Sequence, residues 1–127
     1  RGITLEYETK TVMISVNPEL FSRLLVNLVS NAYRYGRENG HIRVRLWQED
    51  SSLVLSVADD GIGIARNEQE KIFRRFYQAD ASRGGEGTGL GLAMVYEIAR
   101  FYHGTVTVES VVDQGSTFVV RMPAGQS

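Results

Sequence analysis

Cysteine is absent from this 127-residue chain, proline occurs twice, and the charges nearly cancel, with 14 Lys and Arg against 15 Asp and Glu. Without cysteine there is no thiol nucleophile, no disulfide and no Cys-ligated zinc, and the composition fits a reducing compartment. A net charge of −1 offers no basic footprint for nucleic acid. No apolar run reaches the ~18 residues that a membrane-spanning helix requires, and no signal peptide is read at the start. Scarce proline excludes a disordered Pro/Gly linker. What the chain does have is 43% hydrophobic residues, enough for the buried core of one domain, and an uneven distribution of glycine. Seven of its 13 glycines fall between Gly61 and Gly91, in two clusters. Glycine concentrated in this way suggests backbone that must approach something closely.

The order of elements follows from periodicity. Ile3, Leu5 and Tyr7 alternate, as do Ile14 and Val16, predicting two short strands. Asn17-Pro18-Glu19 reads as a helix start, with Asn as cap, Pro at the first helical position and Glu at the positive end. Leu20, Leu24 and Leu28 continue at helical spacing to about Tyr35, and Gly36 is the expected stop. Ile42, Val44 and Leu46, then Leu53, Leu55 and Val57, predict a hairpin across the polar stretch Gln48 to Ser52, with Arg43 and Arg45 on its solvated face. A short helix is expected from Asn67 to Phe76, and a polar, Gly-rich loop from Asp80 to Gly87. A further helix should run from Leu90 to Tyr102, with Leu90, Met94, Ile98 and Phe101 as its apolar stripe and Gly104 after its end. Val106 and Val108, a turn at Asp113-Gln114-Gly115, and Phe118, Val120 and Met122 make a last hairpin. The order ββ-α-ββ-α-α-ββ predicts an α+β fold: a two-layer sandwich with a mixed, mostly antiparallel sheet and about three helices on one face.

Three groups of residues carry chemistry. Asn27, Asn31 and Arg34 share one face of the first helix, within roughly 60° of one another, with Tyr35 beside them. Asn carbonyls suit a hard cation such as Mg²⁺, and Arg34 can reach a phosphate, although a solvated helix face explains the same stripe. Asp59-Asp60-Gly61-Ile62-Gly63 ends a strand whose alternation points Asp59 inward and Asp60 the other way. A carboxylate there can accept a hydrogen bond from an exocyclic amine, with glycine backbone beside a flat ring; a plain Asp-Gly turn is the alternative. Gly85-Glu86-Gly87-Thr88-Gly89-Leu90-Gly91-Leu92 opens a helix, where free N–H groups and the dipole attract phosphate. No Gly-Lys-Ser/Thr ends it, so it is not a P-loop. Phe73 and Phe76 read as core or interface, and Lys71 and Arg75 as cations for phosphate or for solvent. His41, at a strand entry, and His103 have neither Cys nor a second His beside them and do not read as metal ligands.

Taken together and in this order, these motifs resemble the catalytic, ATP-binding domain of sensor histidine kinases, within the GHKL (Bergerat-fold) superfamily shared with DNA gyrase, MutL and a heat-shock chaperone. Asn27 to Ala32 resembles the N box, Asp59 to Gly63 the first G box, Ile72 to Tyr77 the F box, Gly87 to Leu92 the second G box, and Gly115-Ser116-Thr117-Phe118 the motif of the last hairpin. The resemblance implies Mg-ATP as cofactor. Asn31 would be the Mg²⁺ ligand, Asn27 its neighbour near the phosphates, Arg34 a phosphate contact and Tyr35 a flank of the nucleotide. Asp59 would take the adenine amino group, with Gly61, Gly63, Ile64 and Ser116 around it. Gly87, Thr88, Gly89, Leu90 and Gly91 would form the phosphate loop, and residues 78 to 88 a lid. Lys71 or Arg75 would stabilise charge on the γ-phosphate.

Two departures sharpen the reading. In the hydrolysing relatives a Glu stands four residues before the Mg²⁺ Asn and activates water; here that position is Asn27. Without that base water attack should be slow, which favours a kinase. Family enzymes phosphorylate a His on a helical dimerisation domain placed before the ATP domain; neither His41 nor His103 is followed by an acidic residue, and no such two-helix segment is read within the 127 residues. The chain therefore reads as a single ATP-binding domain over residues 1–127 without the phosphoacceptor domain, not expected to autophosphorylate alone. The implied partners are the histidine-bearing dimerisation domain of the same kinase and a downstream response regulator in a bacterial two-component phosphorelay. The parent would be a homodimer and the separate domain a monomer. The domain would be cytoplasmic, its parent anchored in the inner or plasma membrane. The alternatives are a gyrase- or MutL-like conformational ATPase, a protein serine kinase of the same fold, and a non-catalytic interaction module.

Overall fold

The structure, a computed structural model, describes residues 2–9, 16–74 and 91–123. In chain order the elements are β1 (Thr4–Thr9), α1 (Pro18–Arg34), β2 (His41–Glu49), β3 (Ser52–Asp59), a 3₁₀ turn at Arg66–Glu68, α2 (Gly91–Phe101), β4 (Thr105–Val111) and β5 (Gly115–Pro123). The strands form one mixed sheet in the order β1-β2-β3-β5-β4. Only β1 runs parallel to its neighbour, β2; every other pairing is antiparallel. The predicted α+β sandwich is therefore the observed architecture, with two α-helices among the described residues.

Alternation along the strands decides where the core lies. Ile42 and Val44 on β2, Leu53, Leu55 and Val57 on β3, and Phe118, Val120 and Met122 on β5 are all buried on the helix-facing side. Leu24, Leu28 and Ala32 of α1 and Val95, Ile98 and Ala99 of α2 close over them. On the opposite face Arg43 and Arg45 lie 3.8 and 3.5 Å from Glu6 and Glu8, and Arg121 lies 3.0 Å from Glu49. Arg45 also stands 5.1 Å over the Trp47 ring. Val54, on this outer face, is fully buried between its register partners Trp47 and Arg121, whose stems cover it.

The helix ends explain how α1 and α2 are placed. Asn17 Oδ1 accepts the N–H groups of Glu19 and Leu20 at 2.8 and 3.1 Å, satisfying donors the first turn leaves open. The Asn17 N–H donates to the Tyr102 hydroxyl at 2.8 Å, which ties the start of α1 to the end of α2. At that end the Gly104 N–H bonds Ala99 O at 2.7 Å and the His103 N–H bonds Arg100 O at 2.9 Å. This is the Schellman arrangement, in which the left-handed position after the cap belongs to His103 (φ 63°). Gly104 is needed for a different reason: a Cβ there would lie 2.1 Å from Arg121 O.

Four expectations change. The helix expected from Asn67 to Phe76 is instead the 3₁₀ turn and a series of three-residue turns through Arg74, with Lys71 N–H to Glu68 O and Arg74 N–H to Lys71 O. Ile72 is in the core and Phe73 packs against it, but no residue from Arg66 to Glu70 is buried, so the apolar contact is confined to the end of the segment. Of the expected α2 stripe, Ile98 is buried and Met94 packs against the core, Leu90 lies outside the described residues, and Phe101 is 67% exposed, its place on the buried face being taken by Val95 and Ala99. The β2–β3 turn is only Asp50-Ser51, because Gln48 pairs with Leu53 and Glu49 with Ser52; Asp50 takes the left-handed conformation (φ 55°). Of the strand expected at Ile14 and Val16, Ile14 lies outside the described residues, and Val16 is in no regular element but packs against the core.

Candidate functional site

Three segments meet at the end of β3: the last turn of α1, the loop from Asp60 to Ile64, and the β4–β5 turn. Asp59 is the final residue of β3, paired in register with Ile42 on one side and Ser116 on the other. Its Oδ1 accepts the Gly61 N–H at 2.8 Å, and the Ser116 N–H also bonds the carboxylate. Burial pushes the Asp59 carboxyl up to about 6 against these two hydrogen bonds, with the neighbouring Asp60 charge adding to the rise. The result is a partly desolvated acceptor beside backbone.

Asp60 points away, as the alternation predicted. Its Oδ1 accepts the His41 N–H at 2.8 Å and its Oδ2 lies 3.1 Å from His41 Nδ1. The His41 backbone donor is the main reason the Asp60 carboxyl sits below its usual range. Adjacent carboxylates thus differ in opposite directions, one by burial and one by hydrogen bonding.

Glycine is required in this loop by close approach. A Cβ on Gly61 would lie 2.0 Å from Tyr35 O and 2.8 Å from Gly36 Cα, so the loop rests on the end of α1. Gly63 has φ 75°, and a Cβ there would meet Val111 O at 2.2 Å. The Ile62 N–H donates to Tyr35 O at 3.1 Å, and Ile62 O accepts the Asp113 N–H at 2.8 Å.

Sequence reasoning missed two residues that hold this region. Ser110 Oγ accepts the Ile64 N–H at 2.7 Å, bonds Gly115 O at 2.9 Å and lies 2.8 Å from Ser116 Oγ. Gln69 Nε2 donates to Ile64 O and Ser110 O at 2.9 and 3.1 Å. The signal for Ser110 was available: it follows Val106 and Val108 at period two, a polar side chain at an inward position. Buried polar groups need partners, and the half-buried Ser110 is a partner for the buried Ser116.

On α1, Asn27 and Asn31 are both half-buried, one helical turn apart. Asn27 Oδ1 lies 3.7 Å from where a Cβ on Gly91 would stand, so the Asn stripe and the first residue of α2 border one space. The Arg34 guanidinium sits 5.6 Å over the Tyr35 ring, with Nε and Nη2 buried. Tyr35 caps α1, its N–H on Asn31 O. Lys71 lies in the turns just before buried Ile72. Phe73 packs on Phe118 and Tyr96, each with ring centroids 6.1 Å apart. Arg75, Phe76, Gly87, Thr88, Gly89, Leu90 and the expected lid at 78–88 lie outside the described residues.

A family model described as histidine kinase-, DNA gyrase B- and HSP90-like ATPase matches residues 16–126. The chain belongs to this family. Among its relatives, the circadian input-output histidine kinase CikA of Synechococcus elongatus is 36% identical over 123 residues, covering 95% of this chain and 16% of CikA. The sensor histidine kinase RppB of Synechocystis is 40% identical over 109 residues, covering 84% of this chain and 24% of RppB. The chain thus spans a quarter or less of these relatives. The histidine kinase-like ATPase fold is matched by solved structures. A mycobacterial sensor histidine kinase, MprB, superposes with a TM-score of 0.88 at 25% identity, over 99% of this chain and 86% of that one. Full-length ShkA in complex with AMPPNP superposes with a TM-score of 0.86 at 28% identity, over 99% of this chain and 26% of that one. No helix among the described residues of this family member is long and apolar enough to cross a membrane.

Proposed function

We propose that this chain binds Mg-ATP and, within a longer sensor kinase, presents the γ-phosphate to a histidine on a separate helical dimerisation domain. The observation that carries the reading is Asp59, a half-desolvated acceptor at a strand end with glycine backbone on one side and Ser116 on the other. It suits the exocyclic amine of adenine, with Gly61, Gly63, Ile64, Ser116 and Tyr35 around the base. Membership in the histidine kinase-like ATPase family and similarity to ShkA, a protein solved in complex with AMPPNP, support it.

The donors present fit the ion as well. Asn27 offers its amide oxygen beside the first residue of α2, and Asn31 stands one helical turn further along α1. Asn31 would hold Mg²⁺ and Asn27 would stand next to it; the chemistry the ion supplies when bound is neutralisation of phosphate charge. Arg34, held over Tyr35 with its nitrogens withdrawn from solvent, would orient a phosphate. Gly87 to Gly91 would cradle the phosphates and residues 78 to 88 would cover them. Lys71 or Arg75 would stabilise charge during transfer. A single domain over residues 1–127 that gives the phosphoryl group to the histidine of a separate domain, from which a response regulator takes it, fits these roles, as does a membrane-anchored parent.

Calorimetric titration of the 127-residue chain with ATP and Mg²⁺, repeated on Asp59→Asn, tests the assignment. Tight binding by the wild type and a loss of at least tenfold in the variant are expected, because the Asn amide puts a donor opposite a donor. Equal affinities would remove Asp59 from adenine recognition.

A further inference from the structure

Behind Asp59 the three converging segments share one side chain. Arg37 leaves the α1–β2 turn, donates from Nε to Asp60 O at 2.6 Å and from Nη2 to Asp113 O. Its planar guanidinium therefore bridges the loop after β3 and the β4–β5 turn, using two donors in fixed relative geometry. The residue is exposed and fills no core space.

The first of these contacts falls on a particular peptide unit. Asp60 O and the Gly61 N–H belong to the same peptide plane. The N–H end of that plane donates to Asp59 Oδ1 at 2.8 Å, and its oxygen end is gripped by Arg37. A cation on the carbonyl oxygen polarises the amide and strengthens the donor at the other end. It also resists rotation of the peptide, which would turn the Gly61 N–H away from the carboxylate. The second contact fixes the grip itself, because Asp113 is held to Ile62 O through its own N–H and has a left-handed backbone (φ 70°).

We propose that Arg37 is a positioning residue for nucleotide recognition: it clamps the Asp60–Gly61 peptide so that the Gly61 N–H holds the Asp59 carboxylate in the orientation that accepts the adenine amine. The proposal rests on the assignment of Asp59 to adenine. Arg37 touches no nucleotide in this scheme. Its effect passes through one peptide plane to one carboxylate.

The test uses the 127-residue chain as wild type, Arg37→Ala, Arg37→Lys, Asp59→Asn and the Arg37→Ala/Asp59→Asn double variant. Affinities for Mg-ATP and for adenosine are measured together with the thermal midpoint and the Gly61 amide proton resonance. Arg37→Ala should weaken ATP and adenosine by the same factor, about fivefold to tenfold, since only the base end is affected. The Gly61 amide proton should move upfield as its hydrogen bond weakens. Arg37→Lys, which can reach one carbonyl but not both, should recover part of the affinity. In the Asp59→Asn background Arg37→Ala should add little, because the group through which it acts is gone. Wild-type affinity in Arg37→Ala, alongside a loss in Asp59→Asn, overturns the clamp and leaves the adenine assignment standing. So does an equal loss from Arg37→Ala with and without Asp59, which would mark a role in stability alone. Failure of the wild type to bind adenosine or ATP overturns both. Should Arg37→Ala not fold, Arg37→Lys carries the same comparisons.

Discussion

Asp59 is where residue chemistry and function pull in opposite directions. Burial raises its carboxyl to about 6 in the folded chain, whereas an unfolded Asp titrates near 3.8. The unfolded chain therefore holds fewer protons than the folded chain between about pH 4 and 6, and stability falls as pH rises through that window. Above pH 6 the penalty is complete; below about 4 it is absent. Asp59→Asn should consequently melt at a higher temperature than the wild type at pH 7.5, and the gap should close as the pH approaches 4. Differential scanning calorimetry of the two proteins across that range measures it, and a gap independent of pH would show that Asp59 is not a strained acceptor. The same titration predicts that ATP affinity of the wild type falls below pH 6, as the acceptor gains a proton. Asp60, one residue on, is held in its charged form by the His41 backbone and contributes the reverse dependence, lost as pH drops through its lowered value.

At the scale of elements, α1 joins the core to the site. Its buried face, Leu24, Leu28 and Ala32, is one side of the helix, and the Asn27, Asn31 and Arg34 stripe is the next. The helix cannot shift on the sheet without moving the Asn stripe relative to Gly91. Leu28 is fully buried, and Leu28→Ala should lower the unfolding free energy by about 2–5 kcal/mol, read from urea denaturation. The cap carries its own prediction. Asn17→Ala removes the acceptor of two N–H groups and should cost about 1 kcal/mol in the same assay, with no change in the slope against urea. The periodicity of α1 and of the three long strands was legible in the sequence because each has one buried face. The turns from 66 to 74 were not, because a stretch of that composition suits a helix or turns, and the Gln69 side chain finds Ile64 O and Ser110 O only in the folded chain.

For the whole molecule, the sheet order places β3 at the centre, with β2 and β5 on its two sides. Its C-terminal residue is therefore surrounded by neighbours from distant parts of the chain, Ile42 and Ser116, and becomes partly desolvated. This central strand end lies against the end of α1 through Gly61 and against the β4–β5 turn through Gly115, so polar groups from three parts of the chain converge there. The position of Asn27 bears on what the proposed site would do with ATP. No carboxylate stands there to activate water, so steady-state hydrolysis by this chain should remain far below ~1 s⁻¹. Turnover at or above that rate, followed by phosphate release, would support a conformational ATPase instead of a kinase.

The sequence by itself determined the alternating strands, the capped first helix, the two glycine clusters and the inward direction of Asp59, because each is a local consequence of periodicity or of backbone freedom. It also carried the ordered set of motifs that resembles the histidine kinase family. Tertiary structure decided which groups sit together behind the carboxylate. Gly61 is glycine because Tyr35 O occupies the place of its side chain, and Gly115 because Asp59 O does. Ser110 meets Ser116 and Ile64 only once β4 lies beside β5. Arg37, an exposed arginine in a turn, has no periodicity to mark it, and its two carbonyl partners lie 23 and 76 residues further along the chain. Contacts of that kind depend on where the sheet brings the ends of its strands, which no local pattern encodes.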